Sequence, residues 1–85
     1  MFMTSKEITM STNLYRYNII RALTKHYESQ IDYHKVNVNI MLDNIVAVAE
    51  HPDVMKTIDE EIAKIAEYEE RLQILTKHFT GITAP

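Results

Sequence analysis

The amino-acid sequence predicts an all-α protein that folds as an antiparallel helical hairpin. Its 85 residues include one glycine and two prolines, whereas average usage gives about six and four in a chain of this length. So few turn-forming residues exclude a fold of many short strands and tight turns. Apolar residues also recur at spacings of three and four over two long stretches, which is the pattern of a packed helix face.

The first stretch predicts a long helix over residues 12–50. Its a/d pattern runs for more than four heptads without a slip and consists of Tyr17, Ile20, Thr24, Tyr27, Ile31, His34, Val38, Met41, Ile45 and Val48. The Ser-Thr-Asn run at 11–13 can supply the N-cap, and we expect residues 1–11 to be mobile. Residues 36–42 leave a strand or a kink as the alternative because β-branched residues alternate there with asparagines. The unbroken heptad spacing favours the helix.

The second stretch predicts a shorter helix over residues 53–79. Pro52 cannot lie inside a helix and is well tolerated at the start of one, so it predicts the hinge. The apolar residues, with a gap near Tyr68 and Glu69, are Val54, Met55, Ile58, Ile62, Ile65, Leu72, Leu75 and Phe79. Gly81 suits a left-handed C-cap. We therefore expect one hairpin domain over 12–80, followed by a short tail at 81–85.

Two helices of this kind cannot enclose a core by themselves. With the chain reversing at 51–52, Phe79 would lie beside Thr24, which leaves upstream residues without a partner helix: Leu14, Tyr15, Tyr17, Ile19, Ile20 and Leu23. Residues 36–49 are also apolar around nearly the whole circumference, so one partner helix would cover only one side of them. Leaving eight large apolar groups of these two regions in water would forfeit on the order of 12–24 kcal/mol, more than the about 5–15 kcal/mol that stabilises a typical domain. We therefore expect self-association into a four-helix-type bundle, with a homodimer favoured over a tetramer or a different protein partner.

The expected oligomer interface lies along the first helix. Its candidate residues are Leu14, Tyr17, Ile20, Tyr27, Ile31, His34, Val38, Met41 and Ile45. If His34 faces its symmetry mate, protonation near pH 6 would set two positive charges against each other.

The sequence predicts no catalytic residue, metal or cofactor. The chain has no cysteine for a nucleophile or a thiolate zinc site, and its lone glycine excludes phosphate-binding glycine loops. His26 and His34, eight residues apart on one helix, lie about 12 Å apart along the axis and cannot share one ion. The carboxylates of the second helix are paired with lysines and arginines, as on a solvated face. A non-enzymatic interaction or structural module is the predicted function.

A small nucleic-acid-associated regulator is the alternative function. Its candidate phosphate contacts are Arg16, Arg21, Lys25 and Lys35, with tyrosines nearby that could stack on bases. The net charge of −3 and the isoelectric point near 5.7 argue against it. We expect a cytoplasmic protein with no membrane partner, since the chain has neither an apolar run of 18 residues nor a signal-peptide pattern.

Overall fold

The computed structural model describes residues 5–44 and 53–81, and within these ranges the chain forms two helices and no strand. Helix α1 spans Ser5–Leu42 and helix α2 spans Asp53–Phe79. The two pack against each other along their length as an antiparallel hairpin. The predicted all-α hairpin is confirmed.

Helix α1 begins earlier and ends earlier than predicted. It starts at Ser5, so residues 5–11 belong to the helix. At its other end the amide of Asp43 donates to the Asn39 carbonyl at 3.0 Å, and the amide of Asn44 closes a tighter turn on Met41 at 3.2 Å. The side chains of Asp43 and Asn44 can hydrogen-bond to nearby backbone groups in non-helical conformations, so these residues favour the end of the helix here. Residues 36–42 are helical, and the predicted continuation over 45–50 lies outside the described residues.

Helix α2 has the predicted bounds. Asp53 stands in its first turn and Lys77 and His78 stand in its last, which suits the helix dipole at both ends. Gly81 follows with φ +77°, a left-handed conformation that glycine adopts without strain. The hydroxyl of Thr80 donates to the Thr76 carbonyl at 2.6 Å and occupies one of the carbonyls left unpaired at the helix end.

The pairing register differs from the expected one by eight residues. Arg16 Nη2 donates to the carbonyl of Phe79 at 2.8 Å, so the end of α2 lies beside Arg16 and not beside Thr24. The physical reason is that α1 ends at Leu42, and the connection therefore spans 43–52 where the sequence predicted a reversal at 51–52. Ile20 and Leu23, expected to overhang, are partly buried beside α2. The stretch without a partner helix is the part of α1 before Arg16.

One seam joins the two helices. On α1 its half-buried residues are Ile20, Thr24, Tyr27, Ile31, His34, Val38 and Met41, which follow the predicted a/d pattern. On α2 the seam steps by four and three through Val54, Ile58, Glu61, Ile65, Tyr68, Leu72 and Leu75. Glu61 and Tyr68 occupy seam positions, whereas Met55 and Ile62, predicted on the packing face, are exposed. Among the described residues only Leu75 is buried, with 8% of its surface exposed.

Candidate functional site

A polar cluster interrupts the middle of the seam. The ring Nδ1 of His34 shares a hydrogen bond with Oε2 of Glu61, and Nδ2 of Asn37 donates to the same oxygen at 3.3 Å. The side chains of His34 and Glu61 are 13% and 21% exposed. The His34 hydrogen bond lowers the pKa of Glu61 below its ordinary value; burial opposes this shift, and the Asn37 bond adds to it. His34 therefore finds its partner within its own chain.

Tyr68 of α2 lies at the centre of an aromatic cluster beside this polar group. Its ring centroid is 6.2 Å from that of His34 in a stacked arrangement and 6.0 Å from that of His26 at a near-perpendicular angle. The Arg71 guanidinium lies 5.3 Å from the Tyr68 ring centroid and also donates to Glu67 Oε1 at 2.6 Å. The ring contacts of Tyr68 with His34 and His26 join the central part of α2 to α1, whereas the Arg71 contacts lie within α2.

An apolar groove opens where α2 ends against α1. This open-end groove encloses about 660 Å³ and is lined by Tyr15, Arg16, Ile19, Ile20, Leu23, Tyr27, Arg71, Ile74, Leu75 and Phe79. Its wall is aliphatic and aromatic apart from two arginines. Tyr15, Ile19, Ile74 and Phe79 remain largely exposed. An exposed concave surface of this composition is typical of a protein interface.

A second exposed apolar pattern runs along α1, and we call it the outer stripe. It steps by four and three without a break through Tyr15, Ile19, Ala22, His26, Ser29, Tyr33, Val36 and Ile40. All eight residues are exposed. Sequence reasoning missed this stripe because alanine, histidine and serine occupy its centre. The regular spacing of its larger members was the signal that could have revealed it.

The predicted oligomer-interface residues divide into two groups. Six of them pack on the seam with α2 of the same chain: Ile20, Tyr27, Ile31, His34, Val38 and Met41. Leu14 and Tyr17 are exposed near the open end, and Ile45 lies outside the described residues. Their participation in an interface between chains stays a prediction.

Three of the four candidate phosphate-binding residues, Arg16, Arg21 and Lys25, line a second groove of about 550 Å³. Arg16 donates to the Phe79 carbonyl and lies between the two grooves. Tyr17 and Glu28 line the same groove, so an aromatic ring and a carboxylate lie beside the three basic residues. Lys35 is exposed farther along α1 and is not part of that lining.

The described residues contain no cluster of three His, Asp or Glu side chains that could hold a metal ion. Neither α1 nor α2 is long and apolar enough to cross a membrane.

Comparisons with protein-family models, curated proteins and solved structures found no match for this chain.

Proposed function

We propose that the protein is a non-enzymatic interaction module that associates with itself, in the simplest case as a homodimer of two hairpins with four helices. The supporting observation is that, among the described residues, only Leu75 is buried while many large apolar side chains are exposed. Within 14–44 and 53–81, twelve large apolar side chains are at least 46% exposed: Leu14, Tyr15, Tyr17, Ile19, Tyr33, Val36, Ile40, Leu42, Met55, Ile62, Ile74 and Phe79.

The energetic scale is consistent with association. At roughly 1.5–3 kcal/mol for each large side chain removed from water, covering half of these twelve contributes on the order of 9–18 kcal/mol. Association costs about 4–15 kcal/mol in lost translational and rotational freedom. A hairpin with one packed seam has no other described surface on which to bury these groups, so a partner chain is the direct solution.

Sedimentation velocity or light scattering over a wide concentration range tests this proposal. We expect a mass of about twice 9.9 kDa, together with a thermal midpoint that rises with protein concentration because association stabilises the folded chain. A folded species of single-chain mass at every concentration would contradict self-association. A mass of about four chains would retain self-association and replace the homodimer by a tetramer.

Nucleic-acid binding is the second candidate, supported by Arg21, Lys25 and Tyr17 lining one groove. A titration against random duplex and single-stranded DNA at about 50 mM salt tests it, because counterion release makes such binding strongest at low salt. We expect Arg21→Gln to weaken any binding and Lys77→Gln, on the far helix, to leave it unchanged. Absence of binding at low salt removes this candidate.

A further inference from the structure

We infer that the outer stripe is the surface through which two copies meet, with the two α1 helices antiparallel across a two-fold axis. This inference rests on the proposed self-association. Along α1 the seam residues from Ile20 to Met41 are shielded by α2, whereas every residue of the outer stripe is exposed. A 4,3 spacing sustained from Tyr15 to Ile40 is the pattern by which one helix packs along another.

The outer stripe is complementary to itself in size. A two-fold axis midway between Tyr27 and Glu28 aligns the following pairs: Tyr15 with the partner's Ile40, Ile19 with the partner's Val36, Ala22 with the partner's Tyr33, and His26 with the partner's Ser29. The Tyr33 ring thus meets a small alanine, and the polar His26 meets a hydroxyl. A two-fold interface requires this reciprocity, because each residue and its opposite exchange places. A parallel alignment would instead place Tyr33 against Tyr33 and Ala22 against Ala22.

Charges beside the stripe select the same register. One flank carries Asn18, Lys25, Asp32 and Asn39, and the antiparallel alignment sets Lys25 against the partner's Asp32 twice, once on each side of the axis. The other flank brings Arg16 near the partner's Asn37 and Leu23 near the partner's Gln30. No like charges meet. Sliding one helix along the other by one heptad places Asp32 against the partner's Asp32 in one direction and Lys25 against the partner's Lys25 in the other. Both neighbouring registers are therefore disfavoured by repulsion between like charges.

The position of the stripe leaves room for this assembly. At about 100° per residue it lies roughly 140° around α1 from the seam, so α2 does not block it. The two α1 helices would lie between the two α2 helices in a flattened four-helix bundle. Tyr15 and Ile19 belong to both the stripe and the open-end groove, and the register brings the partner's Val36 and Ile40 to that edge of the groove.

A charge exchange tests the register. Lys25→Glu turns both cross-chain pairs into repulsions, and we expect it to weaken the dimer about tenfold, since each exposed pair contributes modestly. The double variant Lys25→Glu/Asp32→Lys restores opposite charges and should return the dissociation constant to within about twofold of the unmodified chain. Lys35→Glu is the matched control: it changes the net charge equally at an exposed position away from the stripe and should leave dimerisation unchanged.

Spin-label distances test the orientation independently, and the absence of native cysteine makes single labels possible. Glu28→Cys and Leu42→Cys lie on the same face of α1. In the antiparallel register the two copies of each label are separated along the axis by roughly 2 Å and 44 Å respectively. We expect the measured distance to be at least about 15 Å longer for the second variant.

The outcomes separate this inference from the proposed function. Rescue by the double variant together with the longer distance at position 42 supports the outer-stripe dimer. A dimer that shows no rescue, or equal distances at both positions, overturns the outer stripe as the interface and leaves self-association standing. A single-chain mass at every concentration overturns both.

Discussion

Helix α1 carries two stripes with the same spacing and different surroundings. Ile31 on the seam is half-buried against α2, whereas Ile40 on the outer stripe is 63% exposed. Both positions belong to unbroken 4,3 patterns on one helix, so the spacing shows that a face can pack and does not show which partner covers it. The difference arises because α2 offers one complementary face and can cover only one stripe.

The polar residues of the two stripes sharpen this comparison. His34 lies within the seam, where Glu61 and Asn37 complete a hydrogen-bonded cluster. A polar group that leaves water needs such partners, because an unpaired one costs about 1–3 kcal/mol. His26 on the outer stripe is exposed to solvent and has ring contacts with Tyr27 and Tyr68. Of the two stripes, the seam is the one that carries this hydrogen-bonded polar cluster.

The largest expected effect comes from Leu75, the one buried side chain in the described part of the hairpin. Leu75→Ala should lower the free energy of unfolding by about 2–4 kcal/mol, because it removes apolar contacts and leaves a cavity against α1. Urea unfolding followed by circular dichroism measures this at a fixed protein concentration. Leu42→Ala, at an exposed position, is the matched control and should cost no more than about 0.5 kcal/mol. Equal losses for the two variants would contradict the observed seam.

A matched pair of isoleucine substitutions compares the two stripes directly. At a protein concentration low enough for single chains, Ile31→Ala should cost about 1–2 kcal/mol and Ile40→Ala about 0.5 kcal/mol or less, because only the first is packed within the hairpin. Raising the concentration should enlarge the Ile40→Ala effect if the outer stripe is covered in the dimer. Concentration-dependent urea unfolding provides the measurement. A larger loss for Ile40→Ala at low concentration would reverse the assignment of the two stripes.

The polar cluster predicts how the seam responds to acid. The pKa of Glu61 is lowered in the folded chain from its ordinary value of 4.5, so the unfolded chain binds more protons as the pH falls through this range. The stabilisation is therefore fully present above about pH 4.5 and is lost as the pH falls below it. Glu61→Gln should lower stability at pH 7 and flatten the pH dependence between about pH 5 and 3.

Urea unfolding at several pH values between 3 and 7 tests this response. Glu60→Gln, the neighbouring exposed carboxylate, is the control and should keep the unmodified profile. An unchanged slope in Glu61→Gln would show that the His34–Glu61 hydrogen bond contributes nothing to folding.

The smallest expected effect belongs to a charged contact on the hairpin surface. Arg71→Met keeps the apolar stem beside the groove and removes both the Glu67 ion pair and the cation over Tyr68. About half of the Arg71 side chain is exposed, so the loss should be about 0.5 kcal/mol or less and should shrink further at high salt. A loss above 2 kcal/mol would show that this contact is a major support of the seam.

Much of the fold could be predicted from the residues alone. The a/d pattern from Ile20 to Met41 predicted the packed face of α1, and Pro52 together with Gly81 predicted the bounds of α2. The start of α1 was misplaced because Ser11 to Asn13 resemble an N-cap, although the helix continues through them to Ser5. Its end was misplaced because apolar residues continue after Leu42, and periodicity does not show where a backbone leaves the helix.

The candidate site was less predictable for a related reason. On α2, Met55 and Ile62 are apolar and fit a helical face, but the seam takes Glu61 and Tyr68 instead. From sequence alone a carboxylate such as Glu61 is assigned to the surface, because its hydrogen-bond partner is not known. His34 supplies that partner from 27 positions away, a relation that local spacing does not contain.

Local sequence patterns are sufficient to predict that the chain is helical, where α2 begins and ends, and that α1 has a packed face with heptad spacing. These properties are local, because they follow from turn residues, helix propensity and side-chain periodicity within one stretch. The packing of the two helices sets the eight-residue shift in pairing, the pairing of His34 with Glu61, and which of the two stripes on α1 meets α2. Those outcomes depend on the length of the connection over 43–52 and on the shape of the facing helix, which act between residues far apart in the chain.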